Sequence, residues 1–147
     1  IAVIFSCIII YTGWKVIRKS LAGIMDEADL IFLKKFIAFL DAHKHKDWID
    51  LHNLRVIHYG AVIHIDAHMT LPWYYDVNAA HQAVSDLETL IKQRYDTSVE
   101  LFIHIDACTA DSCIICCKED CAVRQQPYTK HLTWTIANVL KNKQHRL

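Results

Sequence analysis

The chain has 147 residues, 53% of them hydrophobic, with sixteen basic and sixteen acidic side chains and a formal net charge of zero. That length suits one compact domain with appendages, and the charge balance argues against a general grip on nucleic acid, which needs a basic field. Three glycines and two prolines leave little flexible linker and favour long regular elements, while ten histidines are the outlier in the composition.

Residues Ile1 to Gly13 carry no charge. A full membrane span takes about 20 apolar residues, so this run reads as the last part of one. The chain is expected to begin inside a longer protein. Tyr11 and Trp14 suit the interfacial aromatic belt, and Lys15, Arg18 and Lys19 follow at once. Basic flanks favour the cytoplasmic side. The reading is therefore an integral protein of the cell membrane, with residues after about 20 cytoplasmic. A buried core helix is the alternative. A signal peptide fits less well, because its basic residues precede its apolar core.

Asp26-Glu27-Ala28-Asp29 places acidic side chains at a helix start. Leu30, Leu33, Ile37 and Leu40 then recur at helical spacing. Leu51 to Tyr59 reads as a strand, Gly60-Ala61 as a turn and Val62 to Met69 as the hairpin partner. Asp76 can cap a helix whose Val77, Ala80, Val84, Leu87 and Ile91 form one stripe. Val99 to Ile105 is a third strand. The order α-β-β-α-β predicts a small α+β fold with helices on one face of a sheet. Five of the six cysteines follow between 108 and 125, and a last helix is expected over Tyr128 to Leu140. The divisions are residues 1–25, 26–107 and 108–147. No phosphate loop, dinucleotide fingerprint or nucleophile elbow is present.

Side chains alternate across a strand. Ile63, Ile65, Ala67 and Met69 then face the helices, and His64, Asp66 and His68 face the other way. In the third strand Val99, Leu101, Ile103 and Ile105 go to the core side, with Glu100, His104 and Asp106 opposite. His68, His104 and Asp106 can therefore share a surface, with His52 and His81 approaching from its rims. Imidazole and carboxylate together suit Zn²⁺, and equally Fe²⁺, Mn²⁺ or Co²⁺. Any one of these histidines alone would read as a solvated surface residue; convergence is what points to a metal. His58, His64 and Asp66 read as surface or supporting groups, and His43, His45 and His145 are given no role. Such a site needs neutral imidazoles, so its affinity should weaken as pH falls through about 6.5, the value of a free imidazole.

Cys108-x4-Cys113-x2-Cys116-x4-Cys121 can supply four thiolates to a structural Zn²⁺. Buried free thiols, a redox pair and an iron–sulfur cluster stay open as readings. A reducing cytoplasm disfavours disulfides. Nothing sets Ser85 or Ser112 beside a base, so no nucleophilic triad is expected. A catalytic zinc with Glu100 as base is the enzymatic rival, and it lacks a second acid/base group at defined spacing.

His52 to Cys108 resembles the cytoplasmic C-terminal domain of the cation diffusion facilitators, membrane exporters of zinc and related divalent metals. The matching residues are His52-x-Leu54-Arg55, Gly60, His68, His81 thirteen further on, and His104-x-Asp106. The apolar start and Ser20-Leu21-x-x-x-Met25-Asp26 resemble the exit of that family's sixth transmembrane helix. Ala107 departs from the proline that members often carry there, and the cysteine-rich extension is not part of the common core. The resemblance implies a ferredoxin-like, metallochaperone-like domain that forms a homodimer. It implies a metal site, often binuclear, drawn from His52, His68, His81, His104 and Asp106. It also implies a proton-coupled antiporter as the parent, whose transport site sits in earlier helices. No enzymatic activity and no nucleic-acid partner are expected; the expected partners are divalent metal ions, the membrane and a second copy. A soluble metal chaperone or sensor is the alternative function.

Overall fold

In the computed structural model the described residues are 2–24, 30–59, 62–95 and 99–144. The acidic run Asp26–Asp29, the turn Gly60-Ala61, the motif residue Met25 and His145 lie outside them.

Helix α1 (Ala2–Ile24) exposes its apolar side chains, from Val3 and Ile4 through Ile10, Trp14 and Ile17 to Leu21. The Ser6 and Thr12 hydroxyls turn back on the helix: Ser6 donates to the Ala2 carbonyl at 3.0 Å and Thr12 to that of Ile8 at 2.9 Å. This satisfies them without water, as apolar surroundings would require. Lys15, Arg18 and Lys19 interrupt the apolar run, and among the described residues no helix is long and apolar enough to cross a membrane.

The rest follows the expected order: α2 (Leu30–Ala42), β1 (Asp50–Tyr59), β2 (Val62–Leu71), α3 (Val77–Tyr95) and β3 (Val99–Ala107). The sheet runs β1-β2-β3, with β2 antiparallel to β1 and parallel to β3. A parallel pair needs a crossover, which α3 supplies. Helix α3 starts where Asp76 accepts the Ala79 N–H at 2.8 Å, the expected cap.

Alternation and helical periodicity meet in one core. Leu33, Phe36, Ile37 and Leu40 of α2 and Ala83, Leu87 and Ile91 of α3 pack on Leu51, Val56, Ile65, Ala67 and Met69 of the sheet. Each of these side chains other than the two alanines contributes about 1.5–3 kcal/mol when fully buried. The buried stripe of α3 is rotated from the expected one: Val77 is exposed, and Ala83 faces the core and accepts the Trp48 indole N–H at 3.2 Å. Ile105 also departs from expectation and is 41% exposed. It lies near the end of an edge strand, where cover from a neighbouring strand exists on one side only.

The terminal helix shrinks to a single turn, α4 (Ile136–Val139). The eight residues before it carry no helix. Leu132 and Trp134 are both buried at a spacing of two, which an extended chain satisfies and a helix does not. Thr129 and Lys130 donate to the Ile114 carbonyl, and the Trp134 N–H donates to Asp41 at 2.7 Å. These bonds take the backbone groups that a helix would have used.

Candidate metal centre

Three imidazoles form a row across the three strands. His52 of β1 pairs in register with His68 of β2, and His68 with His104 of β3. Their ring centroids are 5.2 and 4.6 Å apart. Asp106, two residues beyond His104 on the same face, reaches back over the row. Its Oδ2 lies 3.1 Å from His68 Nδ1 and 3.2 Å from His52 Nε2, and its Oδ1 lies 3.5 Å from His104 Nε2.

His52 reaches that face because β1 bulges. The register shifts between His52 and Arg55, and Asn53 takes φ +51°. Asn tolerates this left-handed region better than most residues. One extra residue lets His52 and Arg55, three apart, point to the same side. The Asn53 N–H donates to the Lys141 carbonyl at 2.8 Å, so the C-terminal segment pins the bulge.

Burial grades across the row. The His52 side chain is 4% exposed, Asp106 22%, His68 29% and His104 65%. Behind His52 lies Asp50, itself 1% exposed, with Oδ2 3.6 Å from His52 Nδ1. Asp50 sits two residues before His52 on the same strand. Sequence alternation alone could have singled it out, and did not.

The donor set fits a borderline divalent metal. One atom each from His52, His68 and Asp106 lies within 4.8 Å of the others. A tetrahedral zinc with bonds of about 2.0–2.1 Å spaces its ligand atoms about 3.3 Å apart. The two closest imidazole–carboxylate separations are near that value, and they serve equally as N–H···O bonds when no metal is held.

His81 stands apart, exposed on α3, with its Nδ1 3.4 Å from Ser85 Oγ, so against expectation Ser85 does lie beside an imidazole, one helical turn away. His64 pairs with Glu100 at 3.4 Å and stacks on Phe102, which occupies the carboxylate suggested as a catalytic base. The His43 Nδ1–H donates to the Phe39 carbonyl of its own helix at 2.8 Å.

Residues 35–108, half of the chain, match the family described as cation efflux protein, cytoplasmic domain. The chain belongs to that family. Two solved structures of the zinc transporter CzrB are similar to it in fold. The zinc form gives a TM-score of 0.50 at 19% identity, covering 54% of this chain and 89% of that one. The other gives 0.51 at 18%, covering 56% and 99%. No curated protein matches the chain.

The cation efflux match takes in all five candidate nitrogen and oxygen ligands and stops at Cys108. Beyond it the chain turns through a short 3₁₀ helix, Ala110–Ile114, and folds back on the sheet end. Arg124 ties this segment together by donating to the carbonyls of Cys113, Cys116 and Lys118 at 3.0, 2.9 and 2.7 Å. The Lys118 ammonium reaches Asp47 at 2.8 Å. Burial raises the thiol pKa of Cys108 and Cys116 above the usual range. The Tyr74 hydroxyl is pushed up to about 12, by burial and then by its hydrogen bond to Cys121.

Proposed function

We propose that this chain is the cytoplasmic regulatory part of a proton-coupled divalent-cation exporter, with zinc the cation it senses. His52, His68, His104 and Asp106 form the sensing site. The observation that carries this reading is the convergence of donors from three strands on Asp106. A single strand could present histidines by accident of composition. Three strands, one of them bulged, meeting within 4.8 Å is a shaped site.

Each residue has a distinct part. Asp106 supplies the negative charge that bridges the row. His52, buried and backed by Asp50, is the fixed ligand, since a carboxylate behind an imidazole sets its tautomer and orientation. His68 is half-open and can adjust. His104 faces solvent and suits the entry side or a second ion. A bound dication supplies positive charge and fixed ligand geometry. His81 is out of reach within one chain, so its part in the site depends on a second copy, in keeping with a homodimer. Two copies sharing such a site would be drawn into one arrangement, and only a preference for that arrangement shifts the population.

Helix α1 is the membrane end of this account. Its exposed apolar side chains and internally bonded hydroxyls support immersion in lipid, and its basic residues support a cytoplasmic exit. Calorimetric titration of the chain with Zn²⁺ tests the site. Wild type should bind, and His68→Ala with Asp106→Ala should lose that binding; equal affinity in both would end the reading.

A further inference from the structure

The cysteine segment is not used by the account above. Four of its thiols, Cys108, Cys113, Cys116 and Cys121, line one small cavity beside Tyr74 and Arg124. The cavity holds about 20 Å³, room for a single water-sized guest. We propose that these four cysteines form a tetrahedral thiolate site for structural Zn²⁺ that locks residues 108–125 onto the end of the sheet.

The surroundings of the sulfurs support this. The Trp73 N–H points at Cys108 Sγ at 3.4 Å. The Lys118 N–H is bonded to Cys116. The Tyr74 hydroxyl is bonded to Cys121. Three of the four sulfurs thus each have a donor beside them. The Arg124 guanidinium lies close enough to act on Cys116 and holds the carbonyls of Cys113 and Cys116. It adds positive charge and fixes the turn that carries the C-x2-C pair.

Zinc–sulfur bonds of about 2.3 Å set tetrahedral sulfurs about 3.8 Å apart. Among the described residues the thiols are not gathered that tightly, so loading requires their side chains to rotate inward. Four zinc–sulfur bonds form, four S–H bonds break and the protons leave to solvent; nothing is oxidised. Cys7 and Cys117 are exposed and take no part.

The test uses the full chain and Co²⁺ as a spectroscopic stand-in for zinc. One equivalent should raise a thiolate-to-cobalt charge-transfer band that Zn²⁺ then bleaches. Nitrogen and oxygen ligands give no such band, so His68→Ala with Asp106→Ala should keep it. Cys113→Ser with Cys116→Ser should lose it. In wild type, Zn²⁺ should shield four of the six cysteines from alkylation, read by mass spectrometry. Absence of the band in wild type, its survival in the cysteine variant, or equal alkylation with and without Zn²⁺ would each overturn the proposal. The wild-type readings stand even if the cysteine variant fails to fold.

Discussion

Asp106 Oδ2 lies 3.2 Å from His52 Nε2, although the two residues sit on opposite edge strands of the sheet. Fifty-odd residues of chain separate them, and only the β1 bulge and the parallel register of β3 make the contact. Asp106→Asn keeps the shape and removes the charge. We expect a loss of Zn²⁺ affinity of at least about 10–100-fold with little change in melting temperature; calorimetry and thermal denaturation of the same sample measure both.

Asp50 acts one step further back. Replacing it with Asn leaves the volume and removes the charge that faces His52 Nδ1. Support of this kind is worth about 10–100-fold in metal affinity. Circular dichroism should stay native while the Zn²⁺ isotherm weakens. An unchanged isotherm would mean that His52 is positioned by the bulge alone.

His81→Ala separates the one-chain site from any shared one. At dilutions where sedimentation shows monomer, the variant should bind Zn²⁺ as wild type does. At concentrations where the chain dimerises with metal, it should bind more weakly. A loss at every concentration would place His81 inside the single-chain site.

The α-β-β-α-β order was legible because periodicity and alternation are local. Asp76 as a cap and Met69 as core needed no tertiary information. The place of His52 was not legible, since a bulge at Asn53 reverses which face its neighbour takes, and nothing local distinguishes it from an even strand. The tail misled for a related reason. Leu132, Ile136 and Val139 fit a helix, but Trp134 is also buried, and Asp41 in a distant element captures its N–H.

The Asp47–Lys118 pair gives the fold a pH signature. Burial opposes ionisation of Asp47, yet the hydrogen bonds from Lys118 and Tyr75 hold its carboxyl below the usual range. The hydrogen bond to Asp47 raises the Lys118 ammonium above its own usual range. Asp47 therefore adds stability above the ordinary carboxylate value of about 3.9, lost as pH falls through its lower folded value. Lys118 adds stability below about 10.4, lost as pH rises through its higher folded value. Lys118→Met should cost about 1–3 kcal/mol near neutrality and flatten both ends of the melting-temperature profile.

Phe36 is fully buried between Phe32 and Tyr95. Phe36→Ala should cost about 3–5 kcal/mol, read from denaturant midpoints at unchanged slope.

Diffraction from zinc-loaded crystals at the zinc absorption edge addresses the sensing site most directly. The account predicts an anomalous peak within about 2.0–2.2 Å of His52 Nε2, His68 Nδ1 and an Asp106 oxygen. Zinc-loaded crystals with no peak between those three residues would contradict it.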